Sequence, residues 1–272
     1  MVAVTPRHFV GRLRDGARLV TEFLTDRGWQ QPREDRLIRP CGRLGVHLPN
    51  GAPTRYDPWP KWTVWGAQHR GAQVAWSLTV RTSVPPELLA ATVTEAEAVL
   101  DEAPDGTREP YVRGLLALGL IPLARAGWSD EVDPRGAVSF RPPDLYANAV
   151  ARIPSGLHEL RGTPAATVSS YGPNSYWDAE FTAGTPSRIL AAFVSELASD
   201  QPLLRTADFL DLTLTRPHVT IRSLTAEGEE SLSPAALAAR TKSSTPAPAP
   251  VSVSSTPPPA SATAAPANTA SR

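Results

Sequence analysis

Cysteine occurs once, at Cys41, which excludes an intramolecular disulfide and any cysteine-built metal cluster. A catalytic thiol needs a base beside it, and the five histidines (His8, His47, His69, His158 and His218) show no spacing that supplies one. Cys41 therefore reads as a lone buried or half-buried thiol. Lysine is nearly as scarce: Lys61 and Lys242 are the only two among 27 basic residues. That arginine bias, with abundant alanine and proline, points to a GC-rich genome and says nothing of mechanism. Net charge is also missing, because 27 acidic residues balance the 27 basic ones. No global field steers the chain toward nucleic acid or an anionic membrane. The balance is uneven locally: residues 1–100 hold thirteen Lys/Arg against nine Asp/Glu, and residues 101–200 hold eight against thirteen. A polyanion-facing surface belongs, if anywhere, to the first half.

Long hydrophobic runs are absent as well. The longest, "GLLALGLIPLARAGW" (114–128), is interrupted by Pro122 and Arg125 and is too short to span a bilayer. The opening "MVAVTPRHFVGRLRDG" lacks the apolar stretch of a signal peptide, so a soluble cytoplasmic protein is expected, with no membrane partner. Zinc-ligand spacing, a phosphate-binding glycine loop and a nucleophile elbow are all missing. The carboxylate runs "LDEAPDG" (100–106) and "SDEVDPRG" (129–136) lie among turn residues and read as solvated loops. Ser195 sits in "AAFVSEL" with no base in view. No catalytic residue, metal or cofactor is assigned, and the chain reads as a non-enzymatic protein.

What the 272 residues do contain is a sizeable apolar fraction, 41%, enough for a substantial core. They also contain a repeat. "WSLTVRTSVPPELLAATVTEA" (76–96) aligns without a gap on "WDAEFTAGTPSRILAAFVSEL" (177–197). Trp76 then meets Trp177, Pro85 meets Pro186, Leu89-Ala90-Ala91 meets Leu190-Ala191-Ala192, and Glu95 meets Glu196. Gly28-Trp29 recurs as Gly127-Trp128, and "LPNG" (48–51) as "IPSG" (153–156). Three landmarks kept in order argue for duplication.

Each unit opens with a helical stripe, Leu19, Val20, Phe23 and Leu24 in the first copy, stopping before Gly28. Short strands follow: "RLGVHLP", "KWTVW" and "QVAWSLTVR", the last alternating Val74, Trp76, Leu78 and Val80. The unit closes in a helix entered through proline, with Thr185 expected as N-cap and Pro186 at the first helical position. The expected architecture is α+β: two tandem repeats, each a helix, about four antiparallel strands and a C-terminal helix. Residues 1–103 form repeat one, and 104–225 form repeat two with a closing segment. In that segment "LDLTLTRPHVTIRSL" alternates Leu210, Leu212 and Leu214 as an extra strand pair. Residues 226–272 hold a short helix at 233–240 and a disordered Ser/Thr/Ala/Pro-rich tail, which cannot bury enough surface to offset the entropy of ordering.

The second copy's Trp177, Phe181, Thr185, Pro186, Ala191, Ala192 and Phe193 carry a resemblance to a known family. Short aromatic strands and a "GW" helix end precede them. The pattern resembles an actinobacterial family, largely from Streptomyces, catalogued as domain of unknown function number three hundred and seventeen. The first copy matches less well, with Val84 in place of the threonine and Thr92 in place of the aromatic residue. The resemblance spans about 200 residues and implies a tandem module of GC-rich actinomycetes, without an activity or catalytic residues.

Features shared by both copies belong to the fold, so Trp29, Trp76, Trp128 and Trp177 are expected in the core. The stretch "YDPWPKWTVWG" (56–66) is different, because its counterpart "PAATVSSYG" (164–172) keeps none of the three tryptophans. On an extended strand Trp62 and Trp65 point to opposite faces, so both cannot enter one core. Arg55, Lys61, Arg70 and Arg81 lie in or beside these strands. A sheet face with aromatics and arginines suits single-stranded nucleic acid, since every base offers a face to stack on. Repeated four-strand-plus-helix units also resemble the Whirly type of single-stranded DNA-binding fold, by analogy of fold alone. Trp59, Trp62, Trp65, Arg55, Lys61, Arg70 and Arg81 are therefore the candidate binding residues. Three readings stay open: packing between repeats, a protein or small-ligand surface, and a nucleic-acid face. Against the last stand net neutrality and Tyr176, Asp178 and Glu180 on the outward face of the second copy. The chain is expected to be a binding or scaffold module for single-stranded nucleic acid or another protein, the tail serving as a tether in the latter case. An enzyme whose site assembles from distant positions and is unrecognisable in the sequence is the remaining alternative.

Overall fold

A computed structural model describes residues 2–9, 16–48, 61–81, 83–103, 111, 115–152, 164–171, 176–205, 220–224 and 230–232. Trp59, Arg55, His158, His218, the strand residues Leu210, Leu212 and Leu214, most of "LPNG", all of "IPSG", the 233–240 helix and the 241–272 tail lie outside the described residues.

The first half contributes β1 (Val2–Thr5), α1 (Gly16–Asp26), β2 (Gln30–Arg33), β3 (Arg36–Ile38), β4 (Leu44–His47), β5 (Lys61–Ala67), β6 (Val74–Arg81) and α2 (Pro86–Asp101). The second contributes α3 (Ile121–Arg125), β7 (Ser129–Val132), β8 (Ala137–Arg141), β9 (Ala147–Arg152), β10 (Ala166–Tyr171), β11 (Tyr176–Phe181), α4 (Ser187–Leu197), β12 (Leu203–Arg205), β13 (Thr220–Leu224) and β14 (Glu230–Leu232). Short 3-10 turns at Arg7–Phe9 and Leu116–Leu120 complete the described elements. The fold is mixed α+β, with four α-helices among the described residues and one large antiparallel sheet.

Ten strands form that sheet in the order β2-β3-β4-β5-β6-β11-β10-β9-β8-β7. Its two halves meet where β6 pairs with β11, with Leu78 opposite Phe181, Thr79 opposite Glu180 and Val80 opposite Ala179. Strand alternation sends one set of side chains to a single core face. Leu44, Val46, Trp62, Val64, Trp76, Leu78, Val80, Ala147, Ala149, Ala166, Val168, Trp177, Ala179 and Phe181 are all buried there. The buried stripes of the helices, Leu88, Leu89, Val93, Ala96 and Val99 on α2 and Ile189, Leu190, Phe193, Val194 and Leu197 on α4, join them in one continuous cluster. The four tryptophans expected in the core are in it.

The helix ends follow from local chemistry. α1 stops at Gly28 and α3 at Gly127, in left-handed backbone at φ +81° and +80°. In both, the following tryptophan N–H reaches back into the helix, from Trp29 to Leu24 O and from Trp128 to Leu123 O. Only glycine takes that φ without a Cβ penalty. Thr185 is not the cap expected of it: Pro186 holds the N-cap position of α4, and the Thr185 hydroxyl is buried without a partner. Two other expectations change. Leu19 lies on the exposed side of α1, and "SDEV" is the exposed edge strand β7 rather than a loop.

A second sheet, β12-β1-β13-β14, stands beside the first. Among the described residues the closing segment supplies β12 and β13, with β1 lying between them. β14 lies within residues 226–272, where only a short helix and a disordered tail are expected from composition.

Candidate functional site

The face of the ten-stranded sheet opposite the core is polar. Thr63 and Trp65 on β5, Ser77 and Thr79 on β6, and Asp178 and Glu180 on β11 alternate with core residues and stay partly exposed. On β10, Thr167 does the same. Two groups of side chains stand out on this face.

The first surrounds Trp65. Gly45 of β4 lies directly opposite it, and a Cβ built on Gly45 would come within 2.3 Å of the indole Cζ2. The absence of a side chain there lets the indole lie flat across the neighbouring strand. Its Nε1–H is buried and has no hydrogen-bond partner. The His47 ring stands 6.3 Å away, tilted by 40°. Burial, and then the Arg36 charge, push His47 below the usual histidine range, so it favours the neutral form. Lys61, at the other end of β5, is half-buried opposite Arg81.

The second group surrounds Arg81. Its guanidinium is ion-paired with Asp178 and lies 5.0 Å above the ring of Tyr176. Tyr176 contacts Tyr171 at 5.8 Å, and the two phenols are 47% and 52% exposed. Burial, with Asp178 next, raises the Tyr176 hydroxyl above the usual tyrosine range.

The candidate residues therefore separate. Trp65 remains on the open face with Lys61. Trp62 is 3% exposed, packed into the core through its pairing with Val80, and is unavailable to stack on a base. Arg81 is engaged by Asp178. Arg70 is exposed at the β5–β6 turn, where its side-chain carbons pass over Gly42.

Tyr171 is not among the residues that the sequence marks as candidates, and neither is a buried carboxylate. Glu97 on α2 accepts hydrogen bonds from Arg27 Nε (2.8 Å) and Nη2 (2.5 Å) and from Trp29 Nε1 (2.7 Å). Arg39 pairs with Asp101 beside it. Arg27, Arg39, Glu97 and Asp101, with Gly28, Pro40 and Cys41, line an open cleft of about 660 Å³. A signal was available, because Glu97 sits between Val93 and Leu100 on the apolar stripe of α2, where a carboxylate needs a partner. Cys41 is exposed rather than buried, because it lies on the turn between β3 and β4. Among the described residues no group of three His, Cys, Asp or Glu side chains is placed to hold a metal ion, and no helix is long and apolar enough to cross a membrane.

Residues 154–203 match the family model of SPDY, a domain of unknown function (DUF317). The chain resembles the DUF317 family. The DUF317 stretch lies entirely in the second half and holds β10, β11 and α4, with Trp177, Phe181, Thr185, Pro186, Ala191, Ala192 and Phe193 all inside it. No curated protein and no solved structure matches the chain.

Proposed function

We propose that the chain is a non-enzymatic binding module made of two copies of one α+β unit, and that it binds through the open face of its ten-stranded sheet. The duplication draws support from the register at the sheet centre. Exchanging each residue with its counterpart 101 positions away in the other copy turns the Leu78–Phe181 pair into the Ala179–Val80 pair and returns Thr79–Glu180 to itself. That is the behaviour of a two-fold axis through the Thr79–Glu180 pair. The strand order is a mirror image about the same point. The β3–β4 and β8–β9 turns place Gly42 and Leu145 at φ +69° and +64°. Repeat one is taken as 1–103 and repeat two as 104–225; the arginine bias and single cysteine suit an actinobacterial, cytoplasmic protein.

The ligand reading rests on Trp65. Its indole lies on the open face of repeat one, with Thr63 next on that face and Lys61 at the far end of the same strand, while Ser169 holds the matching position of repeat two. An aromatic platform with nearby cationic groups suits an unpaired base and its phosphate, so single-stranded nucleic acid on the β3–β6 half is the first reading. Fluorescence anisotropy of a labelled thirty-base strand, at two salt concentrations, tests it with Trp65→Ala as the variant. Binding at low salt that weakens in the variant is expected. No binding, or binding indifferent to Trp65, refutes it.

A second reading has its own observation. Asp178 and Glu180 stand at the sheet centre and repel phosphate, and the exposed Tyr171–Tyr176 pair is the kind of aromatic anchor that protein interfaces favour. A protein scaffold with residues 241–272 as its tether is then expected. Affinity capture with the tail deleted would lose partners; an unchanged set counts against it.

A further inference from the structure

We propose that β12 and β13 form a strand-binding groove on repeat two, and that its present occupant, the arm Val2–His8, exchanges with the arm of a second copy of the chain. β1 is an inner strand of its sheet. Val2, Ala3 and Val4 pair with Arg205, Leu204 and Leu203, and Val2–Thr5 pair on the other side with Ser223–Thr220. Without β1, β12 and β13 would each present a row of unpaired N–H and C=O groups. A strand bound between such edges gains affinity from main-chain hydrogen bonds and selectivity from the side chains that follow the pleat.

The selectivity is visible in the arm. Ala3 and Val4 are buried, as are Arg7 and His8. Arg7 Nε donates to Gln201 O at 2.8 Å and Nη1 to Glu196 O at 3.1 Å, with the Glu196 carboxylate as ion partner. The guanidinium thus meets the C-terminal end of α4, where carbonyls lack intrahelical donors and the dipole favours a cation. His8 Nε2 lies 2.9 Å from Asp144 Oδ2, and its ring stands edge-on to Trp128 at 6.3 Å. The Ser170 hydroxyl donates to the His8 carbonyl at 2.8 Å.

Trp128, Asp144, Ser170, Glu196 and Gln201 all belong to repeat two, whereas the arm runs into α1 of repeat one. Recognition of the arm by these groups does not depend on the segment that tethers it. A second copy's arm meets the same atoms, so exchange needs no new contact and only competes with the high local concentration of the resident arm.

The test uses the full chain and a fluorescein-labelled peptide of residues 1–9, MVAVTPRHF, as the stand-in for a second copy's arm. A locked chain, Ala3→Cys with Leu204→Cys in a Cys41→Ser background, ties the arm to β12, since directly opposed strand residues lie within disulfide reach. The wild-type chain is expected to take up peptide slowly. The Arg7→Ala chain, which holds its own arm less well, should take it up about tenfold faster, the effect of losing one charged hydrogen-bond anchor. The oxidised locked chain should take up none until it is reduced. No uptake by the Arg7→Ala chain, with its circular dichroism unchanged, would overturn the proposal. Equal uptake by the oxidised and reduced forms of the locked chain would overturn it as well.

Discussion

Replacing Glu97 removes the acceptor on which the α1–α2 corner is assembled, and the cost can be worked from its three short hydrogen bonds. In Glu97→Leu the Trp29 indole N–H, buried in the core, loses its acceptor. An orphaned buried donor costs about 1–3 kcal/mol. Arg27 is 40% exposed in its side chain, so it can turn to water, and its lost pairing adds only about 0.5–1 kcal/mol. Leucine returns about 1 kcal/mol by burying apolar surface. The net destabilisation is about 2 kcal/mol. Glu97→Gln keeps an oxygen for the indole and loses only charge, so about 1 kcal/mol is expected. For a chain of this length each kcal/mol moves the thermal midpoint by about 2–4 °C. Melts followed by circular dichroism at pH 7 should therefore drop by roughly 4–8 °C for Leu and roughly 2–4 °C for Gln. Trp29→Phe combined with Glu97→Leu should cost less than the sum of the two, since both remove one hydrogen bond. Additive losses, or a Leu variant as stable as the parent, would show that the indole bond carries no stability and refute the reasoning.

Leu145 holds a left-handed φ of +64° with its side chain 67% exposed, so Leu145→Gly relieves strain and loses little packing; a gain of about 0.5 kcal/mol in urea unfolding is expected. Trp62→Ala opens a cavity in the core and should cost about 3–5 kcal/mol, against about 1 kcal/mol for Trp65→Ala on the open face, measured in the same way. Burial raises the Tyr111 phenol well above the unfolded value near 10, so the native state keeps a proton that the unfolded chain gives up. Its contribution is intact below about pH 10 and falls as pH rises beyond it; the urea midpoint of Tyr111→Phe should therefore decline less steeply above pH 10 than that of the parent.

Strand alternation was enough to place Trp76 and Trp177 in the core and to put Trp62 and Trp65 on opposite faces, because the side-chain period of a strand is two. It did not say which of the latter pair was inside. That depended on β5 lying between β4 and β6, which aligns Trp62 with Val80 and Val64 with Val46. Nor could it show that Gly45 leaves room for the Trp65 indole, since the two residues are twenty apart in sequence and meet only by register. Thr185 misled for a local reason: its type and its place before Pro186 suit a cap, but the turn from Thr182 sets the helix start one residue later. The arm was illegible. "MVAVT" has the apolar content of a strand, but its partners are about two hundred residues away, and nothing near Arg7 or His8 announces Glu196 or Asp144.

On the proposed duplication, the places where the two copies differ bear on the arm. Trp29 and Trp128 align residue 27 with 126, the β4–β5 and β9–β10 registers align 39 with 142, and Val93 and Val194 align 97 with 198. Repeat one thus has Arg27, Arg39 and Glu97 where repeat two has Ala126, Pro142 and Ala198. Repeat one closes the end of α2 with its own arginines, paired to Glu97 and Asp101. Repeat two has no arginine or carboxylate at those positions, and the guanidinium at the end of α4 comes instead from Arg7. Cys41 likewise stands where Asp144 receives His8. A helix C-terminus with unpaired carbonyls needs a cation or a donor, and each repeat meets that need by a different route. Repeat one is self-sufficient at this corner. Repeat two takes its cation from the Arg7 arm, the asymmetry on which the proposed exchange rests.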